Sequence, residues 1–372
     1  MRVDDFLVER WLNTYEHNVE INLAETCVDP FTLGGFLEFT KSFDFLEKFM
    51  NTKLTYGFIE GNPELREGIA SWYEHAQPEE ILVTGGAIEA NFNSFYSLIE
   101  PGDTVISVAP TYQQLYSVAK GFGAEVKLLK LRPENGWLPD IEELKGLVDG
   151  KTKMIIINNP NNPTGSLIET GLLRAICDVA EDSGAYLHSD EAYRGLYVNP
   201  GAKVPSTVDL YDKAISVGSF SKPLSLTGLR LGWITAKKDV IRECMRHRDY
   251  TTISKGMIDE ALALIAVKNS AKIMERNNDI IRKNHALLDK WIDDEPAISW
   301  VSPRAGSTGF MRVDSKVSSE ELCRRIIEEK STLLVPGECF GVEKHMRIGF
   351  GNDTAVLRKG LSRLKDFLDA NK

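Results

Sequence analysis

A lysine closes the apolar run of SVGSFSKPLSLTGLRLGWI (residues 216–234), with Ser219 and Ser221 just before and beside it and Arg230 eight positions beyond Lys222. An amine at the end of a buried strand can condense with an aldehyde, and a guanidinium behind it can pair with a phosphate. Four other apolar runs end in residues of comparable use. EILVT is followed by Gly85, Gly86, Ala87 and Ile88, a glycine turn opening a helix, where free N–H groups and the positive end of the dipole suit a phosphate. TVISV leads to Tyr112, a ring able to stack on a flat ligand or simply to fill core. KMIII leads to NNPNNPTG with Asn162, and AYLHS ends in Asp190, with Tyr193 three residues on. Asp190 could act on a ligand or cap the next helix.

These groups matter together only if one scaffold brings them to one place. From about residue 80 to 235 short β-type runs alternate with amphipathic helical stretches such as AIEANFNSFYSLIE and ETGLLRAICDVAEDSG. Near-continuous apolar strands between such helices predict a mostly parallel, seven-stranded sheet with helices on both faces, an α/β doubly wound domain. In such sheets ligands bind beyond the carboxyl ends of the strands, where all five groups lie. The C-terminal third changes character. Long helical stretches over roughly 256–294 precede four short strands, AISWVSP, GSTGFMRVD, STLLVPGE and HMRIGFG, which predicts a smaller α+β domain. The expected division is an N-terminal segment 1–45 belonging to the small domain, a large domain 46–265 and the small domain 266–372.

One ligand has a part for each group. Pyridoxal 5'-phosphate offers an aldehyde to Lys222, a ring nitrogen to Asp190, a ring oxygen to Asn162 and Tyr193, a flat face to Tyr112, and a phosphate to the glycine turn, Ser219 and Arg230. A carboxylate at the pyridine nitrogen makes that ring an electron sink.

At this point the sequence resembles the class I/II aminotransferases, pyridoxal-phosphate enzymes of fold type I, with NNPNNPTG, SDEAY and SFSKPLSLTGLRLGW in the expected order and separation. TYGFIEGNPELREGIASW and HMRIGFG extend the resemblance over nearly the whole chain. It implies that Lys222 holds the cofactor aldehyde as a Schiff base and moves the α-proton, and that Asp190 and Tyr193 complete the catalytic set. Gly86, Ala87, Ile88, Ser219, Ser221 and Arg230 would surround the cofactor near its phosphate. Arg347 would grip the substrate α-carboxylate bidentately, with Asn162 nearby. Tyr56 would reach the phosphate of a neighbouring subunit, making a homodimer with shared sites. The implied activity moves an amino group between an L-amino acid and a 2-oxo acid.

The chain departs from the family in INLAETCVDPFTLGG, where a small residue of the substrate pocket is replaced by Thr26, flanked by Glu25 and Cys27. Glu25 is either solvated or a pocket carboxylate that favours substrates with a distal cation. That segment is also compatible with a cyclase or lyase acting at Cβ or Cγ of a hydroxylated, guanidino-type amino acid, as in capreomycidine synthase. A sensor built on this fold would carry a DNA-binding domain in front, and the fold is expected to begin almost at residue 1.

Bulk properties narrow the partners. The 372 residues carry a net charge of −10 without a basic block, which argues against nucleic acid and anionic membrane. Five scattered cysteines without CxxC spacing suit reduced thiols, and no signal-peptide or transmembrane run is visible, so a cytoplasmic protein is expected. The six histidines show no ligand spacing, GxGxxG and GxxxxGK[ST] are absent, and no repeat or low-complexity stretch interrupts the pattern.

Overall fold

The computed structural model describes residues 2–371. An N-terminal helix α1 (Leu7–Tyr15) is followed by a two-residue strand β1 (Ile21–Asn22). Seven strands then build the large sheet: β2 (Ile81–Thr84), β3 (Thr104–Ala109), β4 (Glu125–Lys130), β5 (Thr152–Asn158), β6 (Tyr186–Asp190), β7 (Ala214–Ser219) and β8 (Gly232–Thr235). Their spatial order is β2-β8-β7-β6-β5-β3-β4. All neighbouring pairs are parallel except those of β8, which runs antiparallel to both β2 and β7. The seven-stranded, mostly parallel sheet expected from the sequence is therefore present.

The apolar runs account for its two covered faces. In β5, Ile155 and Ile157 join one core cluster while Met154 and Ile156 join another on the opposite face. This is the period-two alternation of a strand buried on both sides. Helices Ala87–Leu98 and Thr170–Ser183 contribute apolar stripes to these clusters, and the second stops at Gly184, whose φ of +69° makes a left-handed cap.

Register matters more for function than strand count. Asn158 pairs with Asp190, Asp190 with Val217, and Ser219 with Gly232, so the carboxyl ends of β5, β6 and β7 lie side by side. The chain leaves β7 at Ser219, passes through Lys222 and Arg230, and returns as antiparallel β8. The lysine and arginine therefore stand at the same end of the sheet.

After helices Met257–Lys268 and Ser270–Asp293, a four-stranded antiparallel sheet forms from β9 (Ile298–Trp300), β10 (Thr308–Val313), β12 (Val335–Pro336) and β13 (His345–Gly349), in the order β12-β13-β10-β9. Strand β11 (Thr332–Leu333) pairs in parallel with β1, joining residues near the two ends of the chain. All five cysteines are buried free thiols. No helix among the described residues is long and apolar enough to cross a membrane.

Candidate active site

One cavity of about 350 Å³ opens where the ends of β5, β6 and β7 meet α1, the segment after β1, and β13. Thirteen of the residues singled out in the sequence line it: Glu25, Thr26, Ala87, Ile88, Tyr112, Asn162, Asp190, Tyr193, Ser219, Ser221, Lys222, Arg230 and Arg347. Gly86 lies just behind this lining, at the cap of the helix that begins with Ala87. Tyr56 is not brought to the cavity of its own chain. It is 75% exposed and lines a separate hollow with Phe49, Thr52 and Phe58.

At the glycine turn, Gly86 has φ +87°, in the left-handed half of the map that L side chains rarely adopt. A Cβ there would come within 3.0 Å of Arg230 Nη2, and a Cβ on Gly232 would lie 2.6 Å from the Ala87 nitrogen. The missing side chains let a guanidinium and a row of N–H groups close on one point. Arg230 itself is left-handed at φ +49°, a conformation a non-glycine residue holds only when its surroundings impose it. The turn is braced from behind by Glu89, which accepts the Gly85 N–H and pairs with Lys255. A hollow edged by a helix N-terminus, an arginine and Ser219 fits the phosphate of pyridoxal phosphate.

The carboxylate end is equally built. Asp190 Oδ1 accepts from the Ala192 N–H at 3.0 Å, and Oδ2 accepts from Asn91 Nδ2 at 2.8 Å. Burial pushes the Asp190 carboxyl up, and those two donors work against the rise. Behind it, His188 Nε2 lies 2.9 Å from Asn91 Oδ1. Because Asn91 spends its nitrogen on Asp190, its oxygen must accept, so His188 carries its proton on Nε2. Burial drives the pKa of His188 down to about 3, so the ring is neutral. Asn158 ties in the next strand, donating to the Asp190 carbonyl at 2.9 Å and accepting the Asn162 N–H at 2.7 Å.

Lys222 Nζ donates to Thr26 Oγ1 at 2.6 Å and to Cys27 Sγ at 3.2 Å. Burial opposes its charge, but Cys27, Tyr193 and Glu25 outweigh that and hold its pKa above the ordinary lysine value. Tyr193 is buried in turn, with its phenol pushed up by burial against the pull of Lys222 and Arg347. Arg347 is buried on β13, donating Nη1 to Asn162 Oδ1 at 3.2 Å and Nη2 to the Ala24 carbonyl at 2.9 Å. Its Nε has no hydrogen-bond partner, a buried donor suited to an anion. The donor set thus fits the cofactor part by part, with one arginine left over for a carboxylate.

Sequence reasoning missed Glu9 and Glu16 of the N-terminal helix region, Asn91, Asn158 and Thr227, all of which line the cavity. Glu9 accepts the Tyr112 hydroxyl at 2.8 Å. Asn91 is one of three buried polar residues of its helix, with Asn93 and Ser94, so its type alone did not single it out. Glu25 faces the cavity rather than bulk water, its Oε1 accepting the N–H groups of Thr26 at 2.7 Å and Cys27 at 2.9 Å. Burial would raise its pKa, yet Lys222 and those N–H groups hold it below the usual value.

Comparison with known proteins agrees with this geometry. Residues 45–364 match the family model "Aminotransferase class I and II". A solved pyridoxal-phosphate-dependent aminotransferase from Streptococcus suis superposes with a TM-score of 0.96 at 41% identity, covering 100% of this chain and 99% of that one. Capreomycidine synthase of Streptomyces vinaceus is 30% identical over 97% of this chain and 93% of its own length. An aspartate aminotransferase of Pyrococcus horikoshii is 30% identical over 84% of this chain and 82% of its own.

Proposed function

Because this chain belongs to the class I and II aminotransferases and is a pyridoxal-phosphate-dependent enzyme of that family, we propose a role for each residue that the cavity gathers. The enzyme moves an amino group between an L-amino acid and a 2-oxo acid. When bound, pyridoxal phosphate supplies an aldehyde carbon for the amino group and a ring that draws electrons from the bonds at Cα.

Lys222 would hold that aldehyde and, as a free amine, would carry the proton to and from Cα. Thr26 Oγ1, at 2.6 Å from Nζ, keeps the free amine in place. Asp190 keeps the ring nitrogen protonated, and Asn91 keeps Asp190 ionised. Asn162 gives its oxygen to Arg347, which leaves its nitrogen to donate to the ring oxygen beside Tyr193. Tyr112 stacks on the ring. Gly86, Ala87, Ile88, Ser219 and Arg230 take the phosphate, with Ser221 beside them, and Arg347 takes the substrate α-carboxylate. The observation that carries this assignment is a lysine and two arginines converging on one cavity with a buried, hydrogen-bonded aspartate. Borohydride reduction of the loaded protein should add the cofactor mass to the peptide containing Lys222; labelling of another lysine would sink it.

The active unit is a homodimer in which Tyr56 reaches the phosphate of the partner subunit. The exposed apolar side chains of Leu46, Met50, Leu54, Tyr56 and Phe58 support a second copy covering this stretch. Mixing Lys222→Ala with Tyr56→Phe chains should partly restore activity, because one site of each mixed dimer then carries neither lesion. A fully active monomer would refute the arrangement.

A second reading is favoured by the nearly full-length similarity to capreomycidine synthase and by Thr26 and Cys27 touching Lys222. In that reading the same residues serve a cyclase or lyase acting at Cβ or Cγ. An amino donor that yields a 2-oxo acid and leaves the amino group on the cofactor separates the two.

A further inference from the structure

Among the described residues, the cavity holds three lysine or arginine cations: Lys222, Arg230 and Arg347. On the reading above, on which this inference rests, each has a partner: the cofactor aldehyde, its phosphate and the substrate α-carboxylate. Asp190 is likewise taken by the ring nitrogen. The cavity wall still carries Glu9, Glu16 and Glu25, and none of them has a lysine or arginine within ion-pair distance among the described residues. Glu16 has only the exposed imidazole of His17 at 3.4 Å.

Glu9 and Glu25 are held by hydrogen bonds, and Glu16 is carried by the backbone of the helix region. Glu9, Leu12 and Glu16 follow at intervals of three and four, one face of α1 continued into the turn after it, and all three line the cavity. The helix is pinned by Trp11 Nε1 donating to the Leu334 carbonyl at 2.8 Å and by the Leu7 N–H donating to Gln113 Oε1 at 2.9 Å. Glu25 is pinned by the two N–H groups that it accepts. Glu9 accepts the Tyr112 hydroxyl at 2.8 Å, and Glu25 follows Ala24, whose carbonyl accepts from Arg347 at 2.9 Å, so both stand on the wall of the cavity that Arg347 enters.

A neutral side chain bound here would bring these three carboxylates no countercharge, and an acidic one would meet repulsion with no cation left to receive it. We infer that α1, through Glu9 and Glu16, forms with Glu25 the subsite for the substrate side chain, and that this subsite takes an amino acid ending in an ammonium or guanidinium.

The test mixes the cofactor-loaded enzyme with L-lysine, L-ornithine and L-arginine against L-norleucine, L-norvaline and L-glutamate, following the earliest change in cofactor absorbance by stopped flow, which reports binding ahead of amino-group transfer. The cationic amino acids should bind at least about tenfold more tightly than the neutral ones of matching length, the size of one charge-assisted hydrogen bond, with L-glutamate weakest. Glu9→Gln and Glu16→Gln should each weaken L-lysine several-fold more than L-norleucine, and Glu16→Lys should shift preference toward L-glutamate. Equal affinity across the panel, or a preference that survives the Glu9→Gln/Glu16→Gln double variant, would overturn the inference while leaving the aminotransferase reading intact. If instead no amino acid perturbs the absorbance and Arg347→Ala changes nothing, the assignment of this cavity fails, and the inference with it.

Discussion

The Asn91–Asp190 hydrogen bond offers a prediction with a signed pH dependence. Asn91→Leu keeps the number and branching of the side-chain heavy atoms and removes the donor 2.8 Å from Asp190 Oδ2. Burial already pushes Asp190 up, and two donors, Asn91 and the Ala192 N–H, oppose it. With one donor gone the carboxyl rises further, so Asp190 is protonated over a wider range of acidic pH and cannot hold a protonated ring nitrogen there. A hydrogen bond to a charged group is worth about 1.5–3 kcal/mol, or roughly ten- to 150-fold in affinity. The ratio of variant to parent Kd for pyridoxal phosphate should approach that size at low pH and shrink toward one as pH rises above the new pKa. Titrating the apo-protein with cofactor between about pH 5.5 and 9 and following tryptophan fluorescence measures it. His188→Leu, which only frees the Asn91 oxygen, should have a smaller effect of the same sign, and Asp190→Asn should be weak at every pH. A ratio that stays flat across pH, or parent-like affinity at the acid end, would refute the role given to Asn91.

Arg347→Ala should raise KM for every amino acid substrate by about 2–4 kcal/mol, roughly 30- to 900-fold, because it removes the buried fork for the α-carboxylate. Arg347→Lys should recover only part of that, since a point charge cannot form two parallel bonds, and steady-state kinetics of both variants checks the order. Glu260 is buried against the Asn62 N–H, and burial raises its pKa from 4.5 to about 7. The native state therefore keeps this proton to higher pH than the unfolded chain does, and stability falls as pH rises through that window. The loss is up to about 3 kcal/mol. Glu260→Gln should remove it, so the Tm difference between variant and parent should grow from pH 4.5 to about 7 and then level off. A pH-independent difference would show that the Glu260 proton is not the cause.

The strands were legible because most are short apolar runs bounded by turn residues, with β4 (EVKLLK) a mixed run at the sheet edge, and the rule that ligands sit beyond carboxyl ends then selected Tyr112, Asn162, Asp190 and Lys222 together. Those residues sit on or just after strands, where sequence position nearly determines spatial position. Asn91 and Glu9 were harder for a physical reason. Each lies on a helix, and which helical face meets the cavity depends on how the helix docks; for α1 that is decided by Leu334 and Gln113, far along the chain. Asn158 was passed over because it reads as the end of a strand rather than as a group. The left-handed backbone of Arg230 leaves no mark in composition, because arginine is not a residue that signals positive φ.

Strand β1 has its partner in β11, and Arg347 bonds the Ala24 carbonyl, so residues 21–24 find their place only after strands more than 300 residues further on have been made. The sheet that carries the glycine turn, Asp190, Lys222 and Arg230 is complete by residue 235. During synthesis, the groups that would receive the cofactor are all present while the wall that would read the substrate side chain still waits for the C-terminal strands. A change that loosens α1 from Leu334 therefore bears on the wall beside Arg347 while leaving the glycine turn, Asp190 and Arg230 in place.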